Sequence, residues 1–252
     1  MKNSKLLSIF IVQLLCISAS PCFSQQMSHS SMADSSSAPM DMKDMFVHPF
    51  LTHMSLPDPV GEVSLRVTGY RTRMTGSDGA TQGDYAVHFE TALAKRLGLH
   101  IRADGIRYEE FSDITLQYTL VADKTSRKGV DIFGELNVPT GAVKNEQYMG
   151  VFGVSARLTA SNFMVWDGNI EYGPKEKKTE FENAFVFRAG TKMYPILEFR
   201  GSSDEEMTTA YLMPAIKFKV NDHTAIGVGF QAAILDHRDY NTQALLTWDF
   251  AF

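Results

Sequence analysis

The chain has 252 residues, 44% of them hydrophobic and 21% charged, with a formal net charge of −5. That acidity argues against a nucleic-acid partner, because phosphate backbones recruit basic surfaces. No phosphate-binding loop, dinucleotide fingerprint, HExxH or GxSxG motif occurs, so common phosphate, nicotinamide, zinc-protease and serine-hydrolase chemistries have no foothold.

Residues 1–24 have the layout of an export signal. Lys2 and Lys5 form a basic start, and residues 6–19 an apolar run. That run is too short to span a bilayer as a helix, which takes about 20 residues. Small residues follow, and cleavage is expected after Ser24. Lipid attachment at Cys16 is the alternative, but Leu14-Leu15 precedes it where a small residue is wanted. Both cysteines, Cys16 and Cys22, fall in this leader, so the mature chain has no disulfide or thiolate metal site. Loss of Lys2 and Lys5 leaves 22 basic against 29 acidic side chains, a net charge of −7.

Residues 25–61 form a tail of unusual composition, expected to be largely disordered and periplasmic. Met27, His29, Met32, Met40, Met42, Met45, His48, His53 and Met54 comprise six of the 13 methionines and three of the seven histidines. Most sit among Ser, Asp and Ala rather than in an apolar run, so they are not core residues. Thioether sulfur is a soft ligand suited to Cu(I), and imidazole suits Cu(II) and Zn(II). The stretch Ser28-His29-Ser30-Ser31-Met32 and the run Met40-Asp41-Met42-Lys43-Asp44-Met45 resemble the Met/His-rich tails of copper-resistance proteins. That resemblance implies Cu(I) or Ag(I) as the bound ion. The competing reading is a linker that happens to use methionine. Within the tail, residues 46–59 are more apolar, and Pro49, Pro57 and Pro59 exclude a regular helix or central strand. This stretch is either an extended linker or a plug that presents His48 and His53 to a barrel lumen.

From residue 62 onward the chain alternates apolar and polar residues with period two, the signature of strands with two unlike faces. Twelve segments are expected: 62–74, 84–94, 97–107, 113–123, 129–138, 148–159, 163–172, 182–193, 195–201, 208–220, 224–235 and 241–252. Short connectors such as Lys95-Arg96 alternate with longer polar ones. The last segment carries Ala244, Leu246, Trp248, Phe250 and Phe252 on one face, a pattern that resembles the assembly signal of bacterial outer-membrane β-barrels. The expected fold is therefore all-β: an antiparallel transmembrane barrel of about 12 strands, with ten or 14 as alternatives. Outer-membrane lipid and the barrel-assembly machinery are the partners this implies. A periplasmic or surface β-sandwich competes with it. Gly69, Gly134, Gly168 and Pro214 interrupt the apolar faces, which a lipid-facing surface tolerates better than a close-packed core. Trp166, Tyr172, Trp248, Phe250 and Phe252 lie near segment ends, where interfacial girdles or core packing would use them.

In a barrel the polar face lines the lumen. Arg66, His88, Glu90, His100, Arg102, Asp104, Asp131, Glu135, Arg157, Asp167, Glu171, Arg188, Glu198, Arg200, Lys217 and Lys219 are the expected lining charges. A hairpin centred on Arg96 would set Glu90 opposite Arg102 and His88 opposite Asp104. Such charges can hold the barrel rigid, line a passage, or form a catalytic pair such as His88 with Asp104, since some small outer-membrane barrels are hydrolases or acyltransferases. The β region resembles small outer-membrane transporter-type barrels, including a family loosely linked to phenol meta-pathway clusters. No enzymatic activity is expected. Transport or handling of a soft metal through the tail is the leading functional expectation. A small-solute or aromatic-compound channel is the alternative, and a barrel hydrolase or acyltransferase the third.

Overall fold

A computed structural model describes residues 47–52, 60–75, 79–104, 111–123, 128–140, 147–161 and 163–252. Twelve strands follow one another: β1 (Val63–Met74), β2 (Thr81–Ala94), β3 (Leu97–Ala103), β4 (Phe111–Asp123), β5 (Lys128–Pro139), β6 (Met149–Ser161), β7 (Met164–Gly173), β8 (Lys178–Phe187), β9 (Met193–Ser203), β10 (Thr208–Asn221), β11 (Thr224–Ala233) and β12 (Tyr240–Ala251). Each pairs antiparallel with its neighbours, and β12 returns to β1 to close the barrel. The seam runs from Ser64 opposite Ala251 to Met74 opposite Tyr240. Beyond it, the Val63 N–H donates to the Phe252 carbonyl (3.2 Å) and the Phe252 N–H to that of Val63 (2.9 Å). The sheet therefore keeps no open edge, the usual route to unwanted pairing.

Alternation sorts the side chains. Leu116, Tyr118, Phe152, Leu197, Phe218, Phe230 and Trp248 point outward and are 40–65% exposed. Asp131, Arg157, Asp167, Glu198, Lys217 and Thr247 point inward and are at most 2% exposed. An apolar exterior of this extent is untenable in water and belongs against hydrocarbon, the reverse of a β-sandwich. Gly69, Gly134 and Gly168 all fall on the outward face. Tyr172, Trp248 and Phe252 are likewise exposed, and the Phe250 and Phe252 rings stack with centroids 6.4 Å apart.

Strand limits depart from expectation mainly around β8. The alternation suggested a strand over 182–193, but β8 starts at Lys178 and ends at Phe187. Gly190 takes a left-handed φ of +82°, and residues 188–192 form a turn closed by the Ala189–Met193 bridge. Apolar Ala189 and Met193 had carried the period through that turn. Arg188 consequently sits past the strand end, with its Nε donating to the Gly190 carbonyl (3.1 Å), rather than on the lumen wall.

The β2–β3 register also differs. Glu90 lies opposite His100 and His88 opposite Arg102, not Glu90 opposite Arg102 and His88 opposite Asp104. The turn itself spans Ala94 to Leu97, and a bulge between Ala92 and Ala94 adds a residue to β2. One inserted residue displaces every facing pair beyond it.

Candidate functional site

The barrel interior is not uniform. The start of β1, the end of β12 and the turns after β2, β4, β6, β8 and β10 share one rim, here the terminal rim; the other is the far rim. Toward the terminal rim the lumen is filled. Between β6 and β7, Arg157 grips Asp167 with two parallel bonds, Nε to Oδ1 (2.7 Å) and Nη2 to Oδ2 (2.8 Å). Gln117 donates to Asp131 beside them. On the opposite side Arg66 and Lys217 converge on the Asp249 carboxylate, Arg66 Nε at 3.0 Å.

Residues 47–52 occupy the lumen next to this second cluster. The segment belongs to neither helix nor strand, so its buried backbone groups need partners from elsewhere. The wall supplies them by charge. The successive N–H groups of Phe50, Leu51 (2.9 Å) and Thr52 (3.3 Å) all donate to the Glu198 carboxylate, as does the Thr52 hydroxyl (3.4 Å). The Phe50 carbonyl accepts from Arg66 Nη1 (3.2 Å), and that of Pro49 from Lys217 Nζ (3.4 Å). Pro49, within this segment, has no N–H that would need a partner.

Apolar contacts complete the seat. Phe50 packs with Val186, Tyr194, Ile196, Met213 and Leu245, and Lys217 Nζ lies 4.8 Å from the centre of its ring. Gly227 makes the room: a Cβ there would stand 2.7 Å from the ring of Phe50 and 2.5 Å from the side chain of Lys217. The inward position of β11 facing the segment thus has to be glycine.

Above the segment, toward the far rim, a cavity of about 330 Å³ opens. Phe50 and Leu51 form part of its lining, with Arg66, Arg102 and Arg200 balanced by Asp84, Asp104 and Asp239. Arg102 binds Asp104, one residue past the end of its strand (2.6 Å), and Arg200 reaches Glu180 (3.2 Å) and Glu182 (3.5 Å). The wall is thus nearly neutral in charge and mixes polar with apolar surface, Phe50, Tyr70 and Tyr240 supplying aromatic rings.

The expected lining residues are distributed as follows. Arg66, His88, Arg102, Asp104 and Arg200 line the cavity. Asp131, Arg157, Asp167, Glu198 and Lys217 are buried in the filled part. Glu135 accepts from Thr115 (2.9 Å) and Asn137 (2.8 Å), and Glu171 faces Glu180 across β7 and β8. Lys219 reaches Asp222 at the terminal rim (3.5 Å). His88, Glu90 and His100 form a cluster whose ligand atoms all lie within 4.8 Å of one another. His48, from the internal segment, places Nδ1 3.6 Å from Glu90 Oε2. The other expected metal ligands, Met27, His29, Met32, Met40, Met42, Met45, His53 and Met54, lie outside the described residues, as does the export signal.

Two central residues were missed from the sequence. Asp249 follows Trp248 in the last strand, where the aromatic face drew attention from the alternate one. Phe50 looked like one more apolar linker residue; the proline spacing around it was the available signal.

No family model matches the chain, and no curated protein matches its sequence. Solved structures do match its fold. An outer-membrane channel from Pseudomonas putida F1 superposes with a TM-score of 0.62 at 8% identity, over 82% of this chain and all of that one (100%). The KdgM porin gives 0.59 at 8% identity, over 75% of this chain and 99% of its own. The NanC porin gives 0.53 at 7% identity, over 75% and 98%. At such identities the likeness is one of fold: a closed barrel of the size and shape used by small porins and channels.

Proposed function

We propose that this protein is a bacterial outer-membrane channel for a small polar solute, closed on the periplasmic side by its own segment 47–52. An even number of strands puts the start of β1 and the end of β12 on one side of the membrane; we take that side as the periplasm because the shorter turns lie there, which leaves the cavity facing outward. The observation that carries the reading is the internal segment beneath the cavity, seated on Glu198 by three backbone N–H groups. A solute entering from outside meets a vestibule at the small end of ordinary ligand pockets. Its floor is Phe50 and Leu51, so passage requires the segment to shift. The likeness to small porins supports the channel reading.

The KdgM porin has been described with oligogalacturonate. The cavity here matches three arginines with three aspartates and carries no excess of positive charge. We therefore assign it a neutral or zwitterionic solute in place of a polyanion. Liposome swelling tests this. Vesicles containing Glu198→Ala should swell several-fold faster than wild type in neutral sugars or amino acids and no faster in sugar acids. Equal rates for wild type and variant would contradict closure by the segment, and faster uptake of the acids would contradict the assigned charge preference.

Handling of a soft metal through the tail is the second reading. The methionine and histidine density of residues 27–54 favours it, and His48 beside Glu90 links that stretch to the lumen. The full chain titrated with Cu(I) against a chelator should bind more tightly than a version with Met27, Met32, Met40, Met42 and Met45 replaced by Leu. Equal affinity would leave the methionines as linker residues.

A further inference from the structure

We propose that His88, Glu90 and His100, joined by His48, form a lumen site for a divalent transition metal of the zinc or copper(II) class, and that the metal ties segment 47–52 to the wall. The proposal is independent of the channel reading, since it concerns binding alone.

The placement follows from strand pairing. Glu90 stands opposite His100 across β2 and β3, and His88 lies two residues before Glu90 on the same inward face. Three donor side chains therefore converge on one patch of wall. Their ligand atoms lie within 4.8 Å of one another, with His88 Nε2 3.4 Å from Glu90 Oε1. His48 Nδ1 lies 3.6 Å from the other carboxylate oxygen, outside the group of three, and becomes a fourth donor once it moves in. Tetrahedral zinc with bonds of about 2.0–2.1 Å separates its ligand atoms by about 3.3 Å. The three wall donors span up to 4.8 Å, so changes of rotamer have to bring them, and His48 with them, to that spacing.

A metal would take over a carboxylate that His48, His88 and Arg66 now share. Arg66 Nη2 comes only within 3.9 Å of Glu90, while its Nε is held by Asp249 at 3.0 Å. Arg102, opposite His88, is bound to Asp104 at 2.6 Å. Burial adds to the case: the Glu90 side chain is 12% exposed and that of His88 is 11%. The set is three imidazoles and one carboxylate, with no thioether. It suits zinc or copper(II), in contrast to the soft ions favoured by the methionines of the tail.

The folded full chain in detergent, stripped with chelator and titrated with Zn(II) alone, should show one tight site. Co(II) should give the strong visible absorption of a four-coordinate ion there. His100→Gln and Glu90→Gln preserve side-chain size, and each should weaken Zn(II) binding by at least about 100-fold. His29→Ala with His53→Ala should leave the tight site unchanged. Zn(II) should slow hydrogen exchange at the amides of residues 50–52, and His48→Ala should abolish that slowing. The site is refuted if wild type binds no Zn(II), if His100→Gln and Glu90→Gln bind as wild type does, or if the His29/His53 variant loses the tight site. Slowing that survives His48→Ala would refute the tie to the segment. Wild type alone decides the first point, so the test does not depend on any variant folding.

Discussion

At the scale of residues, burial decides which charges matter. Arg157 and Asp167 are paired in register, doubly bonded and at most 2% exposed. Arg157→Ala would strand a buried carboxylate and should lower stability by about 3–5 kcal/mol in urea unfolding. Lys177–Glu205, with side chains 61% and 69% exposed, is the control. Lys177→Ala should cost well under about 1 kcal/mol, because water screens the pair. Similar losses for both variants would mean that the lumen near β6 is wet. Period-two alternation puts Asp131, Arg157, Asp167, Glu198 and Lys217 on the face that the barrel buries, although apolar Val165 and Met213 share that face. It could not rank them, since burial depends on what fills the lumen.

At the scale of elements, strand existence was legible and register was not. Twelve alternating runs became twelve strands, yet the Ala94–Leu97 turn and the bulge after Ala92 together moved the expected partners of His88 and Glu90 by two residues. Alternation also hid the turn at Gly190, because apolar residues flank it. The β9–β10 turn rests on Asp204, whose Oδ1 accepts from the Glu206 N–H (2.8 Å) and the Met207 N–H (2.7 Å). Those two bonds hold the Asp204 carboxyl below its ordinary value of 3.8. A depressed carboxyl contributes order above its unfolded pKa and loses that contribution as pH falls through the folded one. Exchange at the Glu206 and Met207 amides, corrected for its intrinsic pH dependence, should therefore rise on acidification below that ordinary value. Asp204→Ala should show the raised exchange at every pH. A pH-independent turn in wild type would remove the carboxylate from its stabilisation. Residues 47–52 belong to no periodic pattern, and their placement depends on Glu198, almost 150 positions along the chain. No local reading of the sequence reaches that contact.

At the scale of the whole molecule, the outward apolar band and the closed seam make one statement about where the barrel sits. The mature protein should sediment with outer membranes and change its gel mobility on boiling. The terminal strand carries a further expectation, that Phe252 takes part in recognition by the assembly machinery. Phe252 is 72% exposed and bonded to Val63 only through its backbone. Its deletion should lower the folded, heat-modifiable yield in cells several-fold while leaving the stability of the folded fraction nearly unchanged. A normal yield would remove the signal reading. Closure of the lumen is the claim on which the functional account turns, and planar-bilayer conductance reads it most directly. Wild-type protein should show rare, small openings. Glu198→Ala, which removes the anchor of segment 47–52, and Gly227→Ala, which takes the space of the Phe50 ring, should both conduct persistently at a higher level. Wild-type barrels that are open from the start, with conductance unchanged in both variants, would contradict the account.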